Sequence, residues 1–288
     1  MEYIFHIFIL IFIYGILAIA QNLVMGSTGL LTLGGAAFYG IGAYTAAILA
    51  TKFGVNIFAS LALAPILAGI IACVVGVSFA RFRDDYFMLA TLGFLMIFHT
   101  VVRNWEELTG GAYGIAGISK PELFNFTFQT PASFLLLALA IFLLTLGISY
   151  RISRSSFGRV LNAIREDEDA LKIFGYKTSS YKLLAFTLGA SLSACAGVLF
   201  ASYITFIDSN FFTINESLLL WSMIILGGIG RNRGAVVGAF ILIIVPEFLR
   251  FVGFPTEFAG LLRQFIYGSL LVLLMLFRPN GILGKYKL

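Results

Sequence analysis

Charge is the scarcest property of this sequence. Charged residues make up 11% of its 288 positions, whereas hydrophobic residues make up 60%, and the mean hydropathy is +0.98. A soluble domain carries roughly 25% charged residues, because its surface must face water. So few charges cannot cover a globule of this size. The composition therefore excludes an ordinary soluble enzyme and predicts an integral membrane protein.

Cysteine and histidine are nearly absent as well, with two of each. Cys73 and Cys195 lie inside apolar runs, and their spacing is not that of a metal site or a disulfide framework. His6 and His99 lack the neighbouring groups that a catalytic triad or a metal centre requires. The sequence thus predicts no catalytic residue, no metal and no cofactor. The net charge of +5 is explained by loop residues, so no nucleic acid partner is expected.

Long apolar runs dominate what is present. A spanning helix needs about 20 mainly apolar residues, and nine segments, within a range of eight to ten, meet that description. They predict an all-α, polytopic transmembrane helical bundle formed by a single domain over residues 1–288. The segments are 4–25, 33–51, 57–80, 86–103, 132–150, 183–206, 216–230, 235–252 and 259–277.

Glycine-rich stretches complicate two of these segments. The segment 216–230 is short and ends in Gly227-Gly228-Ile229-Gly230, so a half-helix or re-entrant piece is the alternative to a full span. Gly26-Ser27-Thr28-Gly29 could likewise interrupt a membrane helix. The first segment resembles a signal peptide, but Glu2 stands where basic residues belong, which favours an uncleaved span.

The distribution of lysine and arginine predicts the orientation. With the C-terminus in the cytoplasm, fourteen of these residues lie in inner segments and five in outer ones. Cytoplasmic loops carry the excess of positive charge in membrane proteins, so the N-terminus is expected outside and the C-terminus inside. The two longest loops are then an extracytoplasmic one, 104–131, and a cytoplasmic one, 151–182.

The cytoplasmic loop has the pattern of a short amphipathic helix. Ser155 and Ser156 are candidate N-caps and Gly175 is a candidate C-terminal stop. Polar residues, including the acidic run 166–169, form the expected solvated face. The apolar positions fall at helical spacing; they are Phe157, Val160, Leu161, Ile164, Leu171 and Phe174. Because four consecutive acidic residues disfavour an anionic lipid surface, a protein partner is the preferred interpretation.

No energy source is visible in the sequence. The glycine-rich phosphate loop of ATPases is absent, and only His99, Glu247 and Arg250 are candidates for a proton or ion relay inside the membrane. Packing explains His99, and a local ion pair explains Glu247 and Arg250. The energy for moving a solute across the membrane is therefore expected to come from another subunit. A self-sufficient channel or ion-coupled carrier and a membrane-embedded enzyme remain as alternatives.

Polar residues beside the predicted helix breaks are the candidates for the substrate pathway. Their alternative role is hydrogen bonding between helices, worth about 0.6 kcal/mol each in a membrane. These residues are Gln21, Asn22, Ser27, Thr28, Thr32, Tyr44, Thr91 and Thr109.

A series of short motifs, in order along almost the whole chain, resembles the permease subunits of ABC importers for branched-chain amino acids, in particular the LivM-like branch of the LivH/LivM permease family. The resemblance departs at Gly35, where histidine is common, and at Asp84, where glycine is common. The matching blocks are Gly26–Gly34, Gly40–Tyr44, Tyr86-Phe87, Thr91–Gly93, Thr109–Gly111, Ser156–Arg159, Ala163–Glu166, Leu226–Gly230 and Arg278–Gly281.

The resemblance implies transport of leucine, isoleucine or valine, although related permeases import urea or short amides. It implies a cell (inner or plasma) membrane location and several partners: a paralogous permease in a heterodimer, two cytoplasmic ATP-binding subunits, and an extracytoplasmic substrate-binding protein. ATP hydrolysis would occur in the partner, so the chain itself is not an enzyme. The implied ATPase-coupling positions are Gly158, Arg159, Ala163, Ile164, Arg165 and Glu166.

The predicted orientation can be tested by cysteine labelling in intact cells, in a background without Cys73 and Cys195. We expect an impermeant thiol reagent to label Glu122→Cys and to spare Ser179→Cys, because the charge bias places only the first residue outside. The opposite labelling pattern would overturn the orientation.

Overall fold

The computed structural model describes residues 2–79, 82, 84–123, 126–128, 130–251, 265, 268–269, 272, 276 and 281–284. Helices make up nearly all of its regular structure, with four strands of two residues each. The helices are α1 (Glu2–Thr28), α2 (Gly35–Phe53), α3 (Ile57–Phe79), α4 (Asp84–Asn104), α5 (Glu106–Thr109), α6 (Pro131–Arg154), α7 (Ser156–Glu166), α8 (Glu168–Ile173), α9 (Thr178–Ile204), α10 (Ile214–Gly227) and α11 (Asn232–Phe251).

Five of the described helices, α1, α3, α4, α6 and α9, are long and apolar enough to cross a membrane. A sixth span results if α10 and α11, which are bent by 119° at their junction, are counted together. The all-α membrane architecture is therefore confirmed, whereas the count of nine spans is not. Of the segment 259–277, only residues 265, 268–269, 272 and 276 lie within the described residues.

The segment predicted as a span at 33–51 is α2, and it lies inside the bundle. Twelve of its 19 residues are buried, so it has little surface to offer to lipid. An interior helix can carry glycine, tyrosine and threonine, and α2 contains all three.

The bundle is centred on α9, whose main neighbours are α2, α3 and α1. Glycines allow α2 and α9 to approach closely. A Cβ atom added to Gly197 on α9 would lie 2.1 Å from the carbonyl oxygen of Tyr39, and one added to Gly42 on α2 would lie 2.2 Å from that of Ala194. Membrane helices gain their packing energy from such close contacts between small residues.

One end of the bundle, here called the loop end, carries the segment 105–130. There β1 (Ile115–Ala116) pairs antiparallel with β4 (Phe206–Ile207), and β2 (Glu122–Leu123) pairs with β3 (Phe126–Thr127). A glycine turn lies at the start of this segment, where Gly110 has a φ of +73°. The side chain of Lys52, at the end of α2, donates to the Glu107 carbonyl.

The opposite end, here called the α7 end, carries α7 and α8. The last turn of α1 lies there, because Arg165 on α7 reaches the carbonyl of Gly26. Residues 281–284 return to the same region: the Ile282 amide donates to the Leu226 carbonyl at 3.0 Å, and the Leu283 amide donates to that of Gly227 at 2.9 Å.

The α2–α9 contact generates a prediction about stability. Gly197→Ala should lower the thermal midpoint of the detergent-solubilised protein, because the new methyl overlaps the Tyr39 carbonyl and overpacking costs about 1–3 kcal/mol. Gly147→Ala on α6 is the matched control, since an atom added there has nothing within 4 Å. Equal midpoints for the two variants would contradict this account of the core.

Candidate translocation and coupling site

The first feature of the candidate site is a break between α1 and α2. Helix α1 continues through Gly26 and ends at Thr28, so the interruption predicted at 26–29 begins only at residue 29. The Thr28 hydroxyl donates to the Val24 carbonyl at 2.7 Å and accepts from the Leu30 amide at 3.2 Å. The non-helical segment 29–34 then leads to α2, and most of it is buried.

Side chains from three helices bind the backbone of this segment. Gln21 on α1 and Trp221 on α10 both donate to the Thr32 carbonyl, at 2.6 and 2.7 Å. The Thr91 hydroxyl on α4 accepts from the Leu33 amide at 3.0 Å. Non-helical backbone at membrane depth persists only where protein or water satisfies it. These side chains therefore hold the break in its conformation.

Ser217 connects the same break to α10. Its hydroxyl donates to the Leu33 carbonyl at 2.7 Å and accepts from the Ala36 amide, in the first turn of α2, at 3.4 Å. Ser217 is buried. One amide of the first turn of α2 and one carbonyl of the break thus find a partner.

A second break, residues 228–231 between α10 and α11, lies against α1. The Asn22 side chain accepts from the Gly230 amide at 3.0 Å and donates to Asn232 at 3.2 Å. Asn232 in turn donates to the Ser149 hydroxyl on α6 at 2.9 Å. A Cβ added to Gly26 would lie 2.9 Å from the Gly230 nitrogen, so the backbones of the two breaks approach closely.

The remaining pathway candidates lie outside this network. The Tyr44 ring packs against Phe98 and Phe212, and its buried hydroxyl has no hydrogen-bond partner among the described residues. Thr109 lies at the loop end, where its hydroxyl bonds to the carbonyls of Val102 and Trp105. Ser27 is half-buried in the last turn of α1. The structure therefore brings together Gln21, Asn22, Thr28, Thr32 and Thr91.

The predicted loop 151–182 contains two short helices instead of the single predicted one. The Ser155 N-cap is confirmed, since its hydroxyl accepts from the Gly158 amide at 3.2 Å. Helix α7 ends at Glu166, and Asp167 adopts an extended conformation that starts α8. The Asp167 carboxylate accepts from the Ala170 amide at 2.9 Å. A short polar side chain that caps a new helix competes with continuation of the old one.

The apolar face of α7 is used inside the chain. Ile164 is 3% exposed and packs with Leu161 and with Ala185 of α9. In this chain the apolar face that was expected to meet a protein partner is therefore covered, at Ile164, by α9, and the coupling role of Ile164 stays a prediction. Gly158 is buried and Ala163 half-buried, whereas Arg159 and Glu166 are exposed.

Arg165 leaves the predicted solvated face and binds α1. One of its guanidinium nitrogens donates to the Gly26 carbonyl at 2.6 Å. That carbonyl belongs to the last turn of α1, where helix carbonyls lack intrahelical partners and a cation is electrostatically favoured. The side chain also lies over Gly29, where an added Cβ would come within 3.1 Å of it. Arg165 is thus a direct connection between α7 and the first break.

The acidic run is not entirely solvated either. Glu168 pairs with Lys182 of α9, which is only 5% exposed, and accepts from the Thr178 hydroxyl at 2.9 Å. Burial disfavours the charged form of Glu168, but the hydrogen bonds from Lys182 and Thr178 outweigh it, so its pKa lies below the ordinary value. This ion pair fixes the start of α8 to α9.

A cavity of about 420 Å³ lies where these elements meet. Helix α7, the α1–α2 break and the α10–α11 break each contribute to its wall. Movement of α7 would therefore change the contacts of both breaks. The lining residues are Met25, Thr28, Gly29, Leu31, Ile164, Arg165, Glu168, Lys182 and Ile229.

Several polar residues of the site escaped the sequence interpretation, among them Ser149, Lys182, Ser217, Trp221 and Asn232. Asn232 lies two residues after the Gly227-Gly228-Ile229-Gly230 stretch, and this position was a usable signal. The predicted Glu247–Arg250 ion pair and the packing role of His99 stay predictions. Glu247 accepts from Tyr3, the side chain of Arg250 lies outside the described residues, and His99 Nε2 has no hydrogen-bond partner among them.

Comparison with known proteins agrees with this architecture. A family model described as "Branched-chain amino acid transport system / permease component" matches residues 3–275. The chain is 35% identical to the high-affinity branched-chain amino acid transport system permease protein LivM of Escherichia coli K12, covering 94% of this chain and 68% of that protein. It is 28% identical to a probable LivM permease of Methanocaldococcus jannaschii, covering 86% and 78%.

The paralogous branch matches more weakly. Identity to the LivH permease protein of Escherichia coli K12 is 26%, over 94% of this chain and 91% of that protein. No solved structure matches the chain. Because the family model spans nearly the whole sequence and the LivM similarity exceeds one-third identity, the chain belongs to the permease-component family of branched-chain amino acid transport systems.

Proposed function

We propose that this chain is the membrane-spanning subunit of an ATP-driven importer and forms half of the pathway for branched-chain amino acids. The observation that carries the proposal is the bond from Arg165 to the Gly26 carbonyl. It joins a helix outside the membrane to a broken membrane helix. A force applied to α7 would therefore reach the breaks beside the pathway without passing through lipid.

The proposed complex contains a paralogous permease, two ATP-binding subunits and an extracytoplasmic substrate-binding protein. ATP hydrolysis takes place in the partner subunits. The chain has about nine membrane segments, of which α10 crosses only part of the bilayer, in the cell (inner or plasma) membrane, with the N-terminus outside and the C-terminus inside. Two contacts support this topology: residues 281–284 return to the α7 end, and Tyr3, at the start of α1, bonds to Glu247 near the end of α11.

The surface offered to the ATP-binding subunit differs from the one that the sequence suggested. Ile164 is covered by α9, but Ile173 and Phe174 at the end of α8 are 86% and 78% exposed, and Tyr176 beside them is exposed too. We assign the docking contact to this apolar tip. The exposed charges of Arg159 and Glu166 flank it on α7 as secondary contacts.

This assignment predicts the effect of Phe174→Asp. The variant should fold normally, because the side chain is exposed in the isolated chain, but co-purification of the ATP-binding subunit should fall at least about tenfold. A carboxylate buried against an apolar groove costs several kcal/mol unless it is paired.

Tyr113→Asp is the matched control for that experiment. Tyr113 is 88% exposed at the loop end, where the ATP-binding subunit does not dock, so co-purification should be unchanged. If Phe174→Asp retains the ATP-binding subunit as well as Tyr113→Asp does, the docking assignment is wrong.

The function itself is tested by uptake into vesicles that contain the whole complex. We expect radiolabelled leucine to accumulate only with ATP and the binding protein, and unlabelled leucine to compete where urea and ribose do not. Uptake without ATP would indicate the channel or ion-coupled carrier, and competition by urea would indicate the amide-transporting branch of the family.

A further inference from the structure

A carboxylate lies near the middle of the bundle, at a depth that the sequence did not reveal. The Tyr14 hydroxyl donates to Glu216 Oε1 at 2.5 Å. Tyr14 is twelve residues from one end of α1 and fourteen from the other, or about 18 and 21 Å at 1.5 Å per residue. The hydrocarbon core of a bilayer is about 30 Å thick. Glu216 therefore lies close to the membrane midplane.

The starting point of α10 explains this depth. The helix has 14 residues and so extends about 21 Å, which is not enough to cross the membrane. It ends at the α7 end of the bundle, and its first turn is therefore in the interior. Glu216 belongs to that first turn, whereas a full-length span would have placed it at the surface.

A buried phenol lies next to this pair. Tyr39 is 1% exposed, and its hydroxyl has no hydrogen-bond partner among the described residues. It is placed near the pair by its contact with Phe212, which lies four residues before Glu216. Its ring packs against Phe200 and Phe212 at centroid distances of 5.4 and 5.1 Å. A buried hydroxyl without a partner is costly, and a bound polar group at this position would relieve the cost.

The chemistry of the cluster suits a primary ammonium group beside an aliphatic side chain. A carboxylate and phenol oxygens accept hydrogen bonds from an ammonium, and the surrounding aromatic rings exclude water. Tyr14 and Glu216 are only half-buried, so a ligand can reach them. Ionisable residues inside a membrane protein commonly mark a substrate or ion pathway.

We propose that Glu216, held in position by Tyr14, binds the α-ammonium group of the transported amino acid at the membrane midplane, with the Tyr39 hydroxyl as a second acceptor. The proposal rests on the proposed function and narrows it. Urea and short amides carry no ammonium group, so a permease with this site is built for an amino acid.

A second carboxylate–tyrosine pair in the same protein provides the comparison. Glu247 accepts from Tyr3, but Tyr3 is the second residue of α1, so this pair lies at the loop end and not at the midplane. The two pairs share their chemistry and differ in depth. A substrate-binding role belongs only to the deeper pair, and this makes Glu247→Gln the matched control for Glu216→Gln.

The experiment uses the complete complex in vesicles and measures leucine uptake and binding-protein-stimulated ATP hydrolysis together. We expect Glu216→Gln to reduce leucine transported per ATP by about tenfold or more, since a hydrogen bond to a charged group is lost. ATP hydrolysis should stay within about twofold of wild type, because the coupling contacts are intact.

Tyr14→Phe should raise the leucine concentration needed for half-maximal uptake, because it removes only the group that orients the carboxylate. Glu247→Gln should leave both measurements unchanged.

The inference is overturned if an assembled Glu216→Gln complex takes up as much leucine per ATP hydrolysed as the wild type does. An equal loss in Glu247→Gln would do the same, because it would show a general requirement for buried carboxylates. If Glu216→Gln does not assemble, Glu216→Asp takes its place: it keeps the charge but draws it back by one methylene. An assembled Glu216→Asp complex with an unchanged half-saturating leucine concentration also overturns the inference. A wild-type complex that does not take up leucine at all would instead refute the proposed function.

Discussion

The two helix breaks depend on one constraint, which is that backbone amides and carbonyls inside a membrane must find partners within the protein. The segment 29–34 meets it with side chains from α1, α4 and α10, centred on the Thr32 carbonyl and the Leu33 peptide groups. The second break meets it with Asn22. Because these side chains come from three helices, the breaks also fix the relative positions of those helices. A change in one helix therefore alters the hydrogen bonding of the others.

The same constraint explains how the short helices α7 and α8 are attached to the bundle. The last carbonyls of α1 have no intrahelical donors, and Arg165 supplies one to Gly26. Glu168 and Lys182 provide a second attachment, to α9. Breaking either partner of a buried pair is costly, since it leaves an uncompensated charge. With these two attachments and the buried Ile164, α7 is joined to the membrane helices closely enough to transmit displacement.

The sequence predicted most of what depends on composition and periodicity. The apolar segments, the short helix before Gly227 and the Ser155 N-cap all follow from local rules, and the structure agrees with them. The helix end at Asp167 did not follow, because a capping aspartate in a charged run looks like a solvated residue. Arg165 and Ile164 were assigned the wrong surroundings for a related reason. Amphipathic periodicity identifies an apolar face but not whether α9 or another protein covers it.

The depth of α10 shows most clearly why sequence reasoning reached its limit. Hydropathy assigns each apolar segment a start at the membrane surface, and Glu216 begins such a segment. The structure instead starts α10 in the interior, beside Tyr14. Residues 205–213 occupy the part of the bundle between the end of α9 and the first turn of α10. There β4 pairs with β1, and Phe212 packs on Tyr39 and Tyr44. A residue that composition places at a boundary thereby lies partway along the bundle, beside the middle of α1, where a charge is expensive. Only the packing of one element above another determines that position, and no local pattern in the sequence encodes it.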